Sequence, residues 1–209
     1  RRRNWGGSHT AIENLKKSGS NTTGWNNGDI RDSALAILAL YKSGEKVDSY
    51  VKWLKNQHQE ALTSGNWYIQ LDTKNSAVCA LEYNNKDYVF SVNSSSLVQT
   101  DPAICTQPSN WIDFLVCIKN SDDIGISEKV EVQCSLDVSP SVIFQTQLNE
   151  FYILDEGNSL TLENGCFEWK NECNCDYSGI GGWVLKEVGN ESFVKSFLVS
   201  KCFGAKGFS

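Results

Sequence analysis

The sequence predicts an α+β chain in which helical hairpins at both ends enclose a β-rich middle segment. Apolar residues recur three and four positions apart before about residue 85 and after about residue 169, whereas between them they alternate with period two. The predicted organisation is therefore a helical part over 1–85, a β-sandwich insertion over 86–168 and a second helical part over 169–209. The two helical parts are expected to pack together.

The clearest predicted helix begins at Ile30 and stops at Gly44. Asp29 or Asp32 would serve its first turn, where a carboxylate satisfies unpaired backbone amides and the helix dipole. The other predicted helices run from Ser8 to Gly19, from about Val47, from near Asp72 with Ala77, Ala80 and Leu81 on the buried side, from Asp176, and from Phe193.

The middle segment is rich in β-branched and aromatic residues and has turn residues at short intervals. Its clearest strand places Val130, Val132, Cys134, Leu136 and Val138 on one face. The other candidates are 88–92, 112–118, 142–148, 151–154 and 160–162. Six or seven short strands in about 80 residues are typical of a small immunoglobulin-like β-sandwich.

A tryptophan followed by a helix-capping aspartate appears in both helical parts, which indicates an internal repeat interrupted by the β-rich segment. This first match pairs Trp25, Asn27 and Asp32 with Trp169, Asn171 and Asp176. A second match aligns Ser49–Lys52 with Ser192–Lys195 after a one-residue shift.

One stretch of the sequence resembles the QW motif of the terpenoid-cyclase and protein-prenyltransferase superfamily. Its residues are Trp53, Gln57, Gly65 and Trp67, followed by Asp72. The gap between Gln57 and Gly65 is longer than usual in that motif. The resemblance covers roughly residues 4–85 and 167–202. It implies an incomplete α/α-toroid of helical hairpins, in which the tryptophan stacks over the glutamine and joins consecutive hairpins.

The catalytic elements of that superfamily are missing from this sequence. It has no acid cluster of the DxDD type, no aspartate, cysteine and histidine arrangement for zinc, and no Cys-Gly-Glu-Gln element. We therefore predict no catalytic residue, no cofactor and no metal site. An enzyme of cyclase or transferase type that acts on a hydrophobic substrate is the alternative implied by the resemblance.

Eight cysteines are many for 209 residues, and the number is even. They form no CxxC pair and no cluster with the two histidines, so disulfides are favoured over a zinc site. Disulfides indicate an oxidising compartment and predict an extracellular or cell-surface location. The sequence leaves the pairing open among Cys79, Cys105, Cys117, Cys134, Cys166, Cys173, Cys175 and Cys202.

A net charge of −6 argues against a nucleic-acid partner, because affinity for phosphate backbones comes mainly from lysine and arginine. No apolar stretch is long enough to predict a membrane span. Asn21, Asn93 and Asn190 each begin a glycosylation sequon, which is consistent with secretion.

Taken together, these features predict a non-catalytic extracellular module with a structural or adhesive role. We expect it to associate with copies of itself or with neighbouring domains of a longer chain, in a surface layer or a filament, because an incomplete helical array leaves a face uncovered. A carbohydrate- or peptide-binding module that uses the loops of the β-sandwich is the other alternative to the leading prediction.

Overall fold

The computed structural model describes residues 6–61, 63, 65–99, 105, 111–120 and 124–203. The chain divides into two compact units. The first unit is Arg1–Gln59 with Gly165–Val194, and the second unit is Glu60–Asn164 with Lys195–Ser209. The predicted boundaries at residues 85 and 168 differ from this division, because the prediction grouped residues 60–85 with the helices.

Helices and strands alternate unevenly along the chain. The helices are α1 (Gly6–Ser18), α2 (Ile30–Lys42), α3 (Asp48–Lys55), α4 (Cys175–Glu187) and the short α5 (Lys195–Phe197). The strands are β1 (His58–Glu60), β2 (Gly65–Asp72), β3 (Ala77–Tyr83), β4 (Lys86–Val92), β5 (Val98–Gln99), β6 (Ile112–Asp113), β7 (Ser127–Cys134), β8 (Ser139–Thr146), β9 (Phe151–Glu156), β10 (Ser159–Glu163), β11 (Gly165–Trp169) and β12 (Glu172–Cys173).

The first unit contains α1 to α4 and a small sheet with the order β1-β11-β12. Helix α2 begins at Ile30, as predicted, and buries Ala34, Ile37 and Leu40 on one side. Its spacing of three and four residues produces one apolar side, which packs against α4.

The second unit contains a five-stranded sheet, β10-β7-β3-β4-β5, and a four-stranded sheet, β6-β2-β8-β9. All pairings in both sheets are antiparallel. Both sheets contribute side chains to one core, which includes Trp67 of β2, Leu81 of β3, Val130 of β7 and Phe144 of β8. The second unit therefore has an apolar core between strand faces. Trp67 and Leu81 of this core lie in the part of the chain that was predicted to be helical.

The predicted fold class is wrong, because the described chain is mostly β, with three antiparallel sheets and short helices, and shows no toroid repeat. The error is clearest at the helix predicted from Asp72. Asp72 ends β2, where its Oδ1 accepts a hydrogen bond from Ser96 at 2.7 Å. Residues Ala77–Tyr83 form β3, and alternate residues are buried. The spacing of Ala77, Ala80 and Leu81 fits an apolar helical stripe. The segment is nevertheless a strand, because it pairs with β4 and β7 on either side.

The resemblance to the QW motif is wrong for the same reason. Gln57 donates to the backbone oxygen of Trp53 at 3.2 Å, at the end of α3. Gly65 and Trp67 instead lie on strand β2, where the Trp67 ring packs 4.7 Å from the ring of Phe144. A Cβ atom on Gly65 would lie 2.4 Å from the Phe144 ring, so the close approach of two strands explains this glycine.

Candidate functional site

A small pocket beside Trp169, with a volume of about 260 Å³, lies within the first unit. It brings together the two segments that the sequence matched to each other. We name it the Trp169 pocket, and the lining residues used below are Asn26, Asn27, Asp29, Glu168, Trp169, Lys170 and Tyr177.

Trp169 stands at the end of β11, and the hairpin to β12 presents it to solvent. Trp169 pairs with Glu172 across the hairpin, and the turn consists of Lys170 and Asn171, with φ of 55° and 65°. Two left-handed residues are what a tight two-residue hairpin turn requires. The disulfide Cys166–Cys173 closes the same hairpin, so the exposed ring stands on a constrained support. Its exposed fraction is 46%.

The facing wall of the pocket is the single turn Asn26–Gly28, which precedes α2. All three residues have left-handed backbones, with φ of 47°, 57° and 86°. This conformation costs most residues about 1–2 kcal/mol, and asparagine and glycine tolerate it best. The Asn26 amide donates to Asp32 Oδ2 at 2.8 Å, which ties this wall to the first turn of α2.

Asp29 and Tyr177 join the two walls. The Tyr177 hydroxyl donates to Asp29 Oδ2 at 2.5 Å, and the backbone amide of Asp32 donates to Asp29 Oδ1 at 2.9 Å. The hydrogen bond to Asp29, together with burial, raises the pKa of Tyr177 to about 12. The Asp29 carboxylate is thus held in place as an acceptor, and Tyr177 keeps its proton at physiological pH.

The aromatic rings of the pocket already have a cation beside them. The Lys170 Nζ atom lies 4.1 Å from the Trp169 ring centroid, within the range of a cation–π interaction. The ring of Tyr177 lies 6.2 Å from that of Trp169. The pocket therefore combines two aromatic rings, fixed oxygen acceptors and an ammonium group.

A second surface is the outer face of the four-stranded sheet, which we define by Tyr68, Trp111, Phe151 and Ile153. The Trp111 ring lies 5.9 Å from Tyr68 and 5.5 Å from Phe151. Phe151 and Ile153 on β9 are 50% and 60% exposed. β9 is the last strand in the order of this sheet. The face is therefore more apolar than a solvated sheet normally is.

His58, one of two histidines in the chain, is buried in the first unit. Its Nδ1 lies 2.9 Å from the Lys55 oxygen, its Nε2 contacts the Ser192 oxygen, and its ring packs 4.2 Å from Phe167. Burial lowers the pKa of His58. This histidine holds the end of α3 to the segment before α5 and faces backbone groups.

All eight cysteines are disulfide-bonded, which is consistent with a secreted or extracellular protein. Cys79–Cys134 joins directly paired residues of β3 and β7. Cys105–Cys117 links a residue before β6 to the π-helix Leu115–Lys119 that follows β6, and Cys166–Cys173 closes the Trp169 hairpin. Cys175 and Cys202 are bonded as well.

The three sequons differ in accessibility, and their use stays a prediction. Asn21 is exposed in a tight turn closed by Ser20 and Gly24. Asn93 Oδ1 accepts the amides of Ser95 and Leu97 at 2.9 and 3.0 Å. The hydroxyl residue of the third sequon, Ser192, is 4% exposed.

The other predicted motif residues are not among the residues that line the Trp169 pocket. Trp53 is buried on α3, Trp67 lies in the core of the second unit, and Asp72 ends β2. The sequence pattern matches Trp169 only to Trp25, as the corresponding position of a repeat. A better signal was local, since Cys166 and Cys173 flank a Trp-Lys-Asn sequence typical of a closed hairpin.

Within the residues that the structure describes, no group of three histidine, cysteine, aspartate or glutamate side chains could hold a metal ion. None of the described helices has the length and apolar character needed to cross a bilayer. Comparison with protein-family models, with curated proteins and with solved structures finds no match to this chain.

Proposed function

We propose that this chain is a non-catalytic extracellular module with a structural or adhesive role, and that the Trp169 pocket is its contact point for a ligand. The observation that carries the proposal is the exposed Trp169 ring on a hairpin held by Cys166–Cys173. Moving a large aromatic ring out of water lowers the free energy of the system. A constrained and half-exposed tryptophan is therefore suited to contact a ligand.

The chemistry of the neighbouring groups supports binding rather than proton transfer. Asp29 accepts from Tyr177 and caps α2, and the pKa of Tyr177 is raised to about 12. A general acid or base works best when its pKa lies near the operating pH. The cyclase or transferase alternative depended on the toroid resemblance and is not retained.

The test is binding to an array of neutral and charged glycans and to immobilised cell-surface polymers. Trp169→Ala should reduce binding by about five- to 150-fold if the ring supplies stacking worth about 1–3 kcal/mol, the range known for nucleobases stacked on aromatic side chains. The matched control is Trp183→Ala. Trp183 is 51% exposed on α4 and lies outside the lining of the pocket.

Equal loss in both variants, or binding that Trp169→Ala leaves unchanged, would contradict the proposal. Binding to no member of either panel would do the same. Unfolding curves of both variants would show whether a loss of binding reflects a loss of structure.

The outer face of the four-stranded sheet favours a second function, self-association of two copies through this face. Its support is Phe151 and Ile153, two exposed apolar residues on a strand at the end of its sheet. Such a strand is a template for pairing with another chain, and a second copy offers the same strand. The net charge of −6 opposes association of copies, so we expect association to increase with salt.

Sedimentation velocity at low and high sodium chloride tests this second function. Phe151→Ser should shift the protein toward monomer, whereas Val89→Ser, which alters a 65% exposed residue on β4, should leave association unchanged. A monomer at all salt concentrations, or equal effects of the two variants, would exclude association through this face.

A further inference from the structure

We infer that the Trp169 pocket is a subsite for an organic cation, a primary or quaternary ammonium group, and that Lys170 occupies it in the absence of ligand. The inference rests on the proposed function, because it names the ligand class of the same pocket. Its carrying observation is the position of the Lys170 Nζ atom, 4.1 Å from the centre of the Trp169 ring.

The face of an indole ring carries partial negative charge and attracts a cation within about 6 Å of its centre, and tryptophan is the best of the aromatic residues at this. The lysine shows that an ammonium group fits against this ring. A neutral sugar would also stack on the ring through its C–H groups, but it carries no full positive charge to interact with the ring's negative face.

The second aromatic ring is suited to the same ligand. Tyr177 lines the pocket with its ring 6.2 Å from Trp169, and its hydroxyl donates to the Asp29 carboxylate at 2.5 Å. Donation to an anion increases electron density on the phenol ring, because the O–H bond is polarised toward the carboxylate. A ligand ammonium group that contacts the Trp169 ring would therefore have a second aromatic ring nearby, and neighbouring aromatic rings recognise quaternary ammonium ligands.

The charged residues of the lining also favour a cationic ligand. The charged lining residues are Asp29 and Glu168, which are acidic, and Lys170, which is basic. When Lys170 moves away, the Asp29 carboxylate stays beside Tyr177, held by its hydrogen bond to the Tyr177 hydroxyl. A ligand cation would therefore replace the positive charge that the lysine supplied.

Lys170 is placed so that a ligand can displace it. It is exposed, and it lies at the first turn position of the β11–β12 hairpin, next to the ring that it covers. An exposed cation–π contact is weak, and its loss changes an equilibrium about two- to five-fold. We therefore expect Lys170 to compete with the ligand, and Lys170→Gln to tighten cation binding by about this factor.

The experiment uses the full chain and follows the Trp169 indole by NMR while choline chloride is added. The matched probe is 3,3-dimethyl-1-butanol, in which a carbon replaces the charged nitrogen, and glucose is the neutral sugar. Choline should shift the indole signal with saturation in the millimolar range, with at least tenfold weaker binding of the butanol. Lys170→Gln should strengthen the response, and Trp183→Leu should leave it unchanged. Trp169→Leu lacks the reporter indole, so it is followed through the ring signals of Tyr177, which should no longer shift with choline.

Equal binding of choline and the butanol would overturn the inference, since charge would then contribute nothing. Binding of glucose without choline would overturn it too, and would identify the pocket as a neutral-sugar site. Weaker choline binding by Lys170→Gln would show that the lysine assists and does not compete. If choline binds as expected but the polymers and glycans do not, the proposed adhesive function fails and the cation site stands.

Discussion

Helices α2 and α4 begin in the same way, although they stand far apart in the sequence. Asp29 accepts the backbone amide of Asp32 at 2.9 Å, and Asn174 accepts that of Tyr177 at 3.1 Å. Both are N-cap residues whose side-chain oxygen satisfies an amide in the first turn. Each helix is followed by a glycine with a left-handed backbone, Gly44 or Gly189, as helix C-termini favour.

The first turns of both helices also carry the same buried clamp. The Ser33 hydroxyl accepts the backbone amide of Trp25 at 2.8 Å, and the Ser178 hydroxyl accepts that of Phe167 at 2.8 Å. By this contact the counterpart of Trp25 is Phe167. The sequence match of Trp25 with Trp169 is therefore displaced by two residues.

The displacement explains why two tryptophans in similar patterns have opposite surroundings. Trp25 is 5% exposed, its indole donates to the Leu15 oxygen at 2.9 Å, and its ring packs on Tyr50. Trp169 lies two positions beyond the clamped residue and is 46% exposed. The two helix starts are therefore alike only in their caps and clamps. Outside them the tryptophans differ: Trp25 is buried and stabilises the fold, whereas Trp169 is exposed and available to a ligand.

The largest expected difference is between Trp25→Ala and Trp169→Ala. Removal of a buried tryptophan costs about 3–5 kcal/mol, whereas an exposed substitution changes stability by about 0.5 kcal/mol. Urea unfolding followed by circular dichroism measures both. Equal free energies of unfolding for the two variants would break the comparison.

Ser33→Ala and Ser178→Ala should each lower the free energy of unfolding by about 1–3 kcal/mol, because each leaves a buried backbone amide unpaired. The two effects should agree with each other if the clamps are equivalent. Ser18→Ala is the control, since the Ser18 hydrogen bond to Leu15 is exposed. A negligible effect of one buried serine would show that the likeness of the helix starts has no energetic meaning.

Asp29→Ala and Asn174→Ala remove the two caps and should each cost about 1 kcal/mol. The loss should be greater for Asp29, because this carboxylate also accepts from Tyr177. A double-mutant cycle of Asp29→Ala with Tyr177→Phe isolates this extra contact. Coupling indistinguishable from zero would mean that the contact adds no stability.

The smallest expected effect is a pH dependence at high pH. The pKa of Tyr177 is raised from 10.0 to about 12 by Asp29 and by burial, so its contribution to stability is complete below pH 10. It is lost as pH rises from 10 to 12, where the unfolded chain releases the proton first. Tyr177→Phe should remove part of this slope.

Tyr83 is the comparison for that measurement. Burial and a hydrogen bond to Glu128 raise its pKa to about 12 as well, within the second unit. Tyr83→Phe should leave the contribution of Tyr177 in place. A slope unchanged by Tyr177→Phe would contradict the assigned effect of Asp29.

The elements with a strong local period were predictable. Helix α2 begins at Ile30 because the apolar stripe and the cap both indicate this position. Val130 and Val132 of β7 face the core of the second unit, as their alternation indicated. The segment Asp72–Leu81 was not predictable in this way, because its small apolar residues suit both periods. The Trp169 pocket was missed because its walls, Asn26–Gly28 and Glu168–Lys170, are far apart in the sequence.

By itself the sequence determined local matters: an oxidised set of eight cysteines, the helix caps, and the alternation of the strands in the second unit. These depend on residue chemistry and on neighbours a few positions away. Tertiary structure alone decided that His58–Glu60, Gly65–Asp72 and Ala77–Tyr83 are strands, because pairing with β4, β7, β8 and β11 satisfies their backbone groups. It also decided which tryptophan is buried, since burial depends on the elements that pack around a residue.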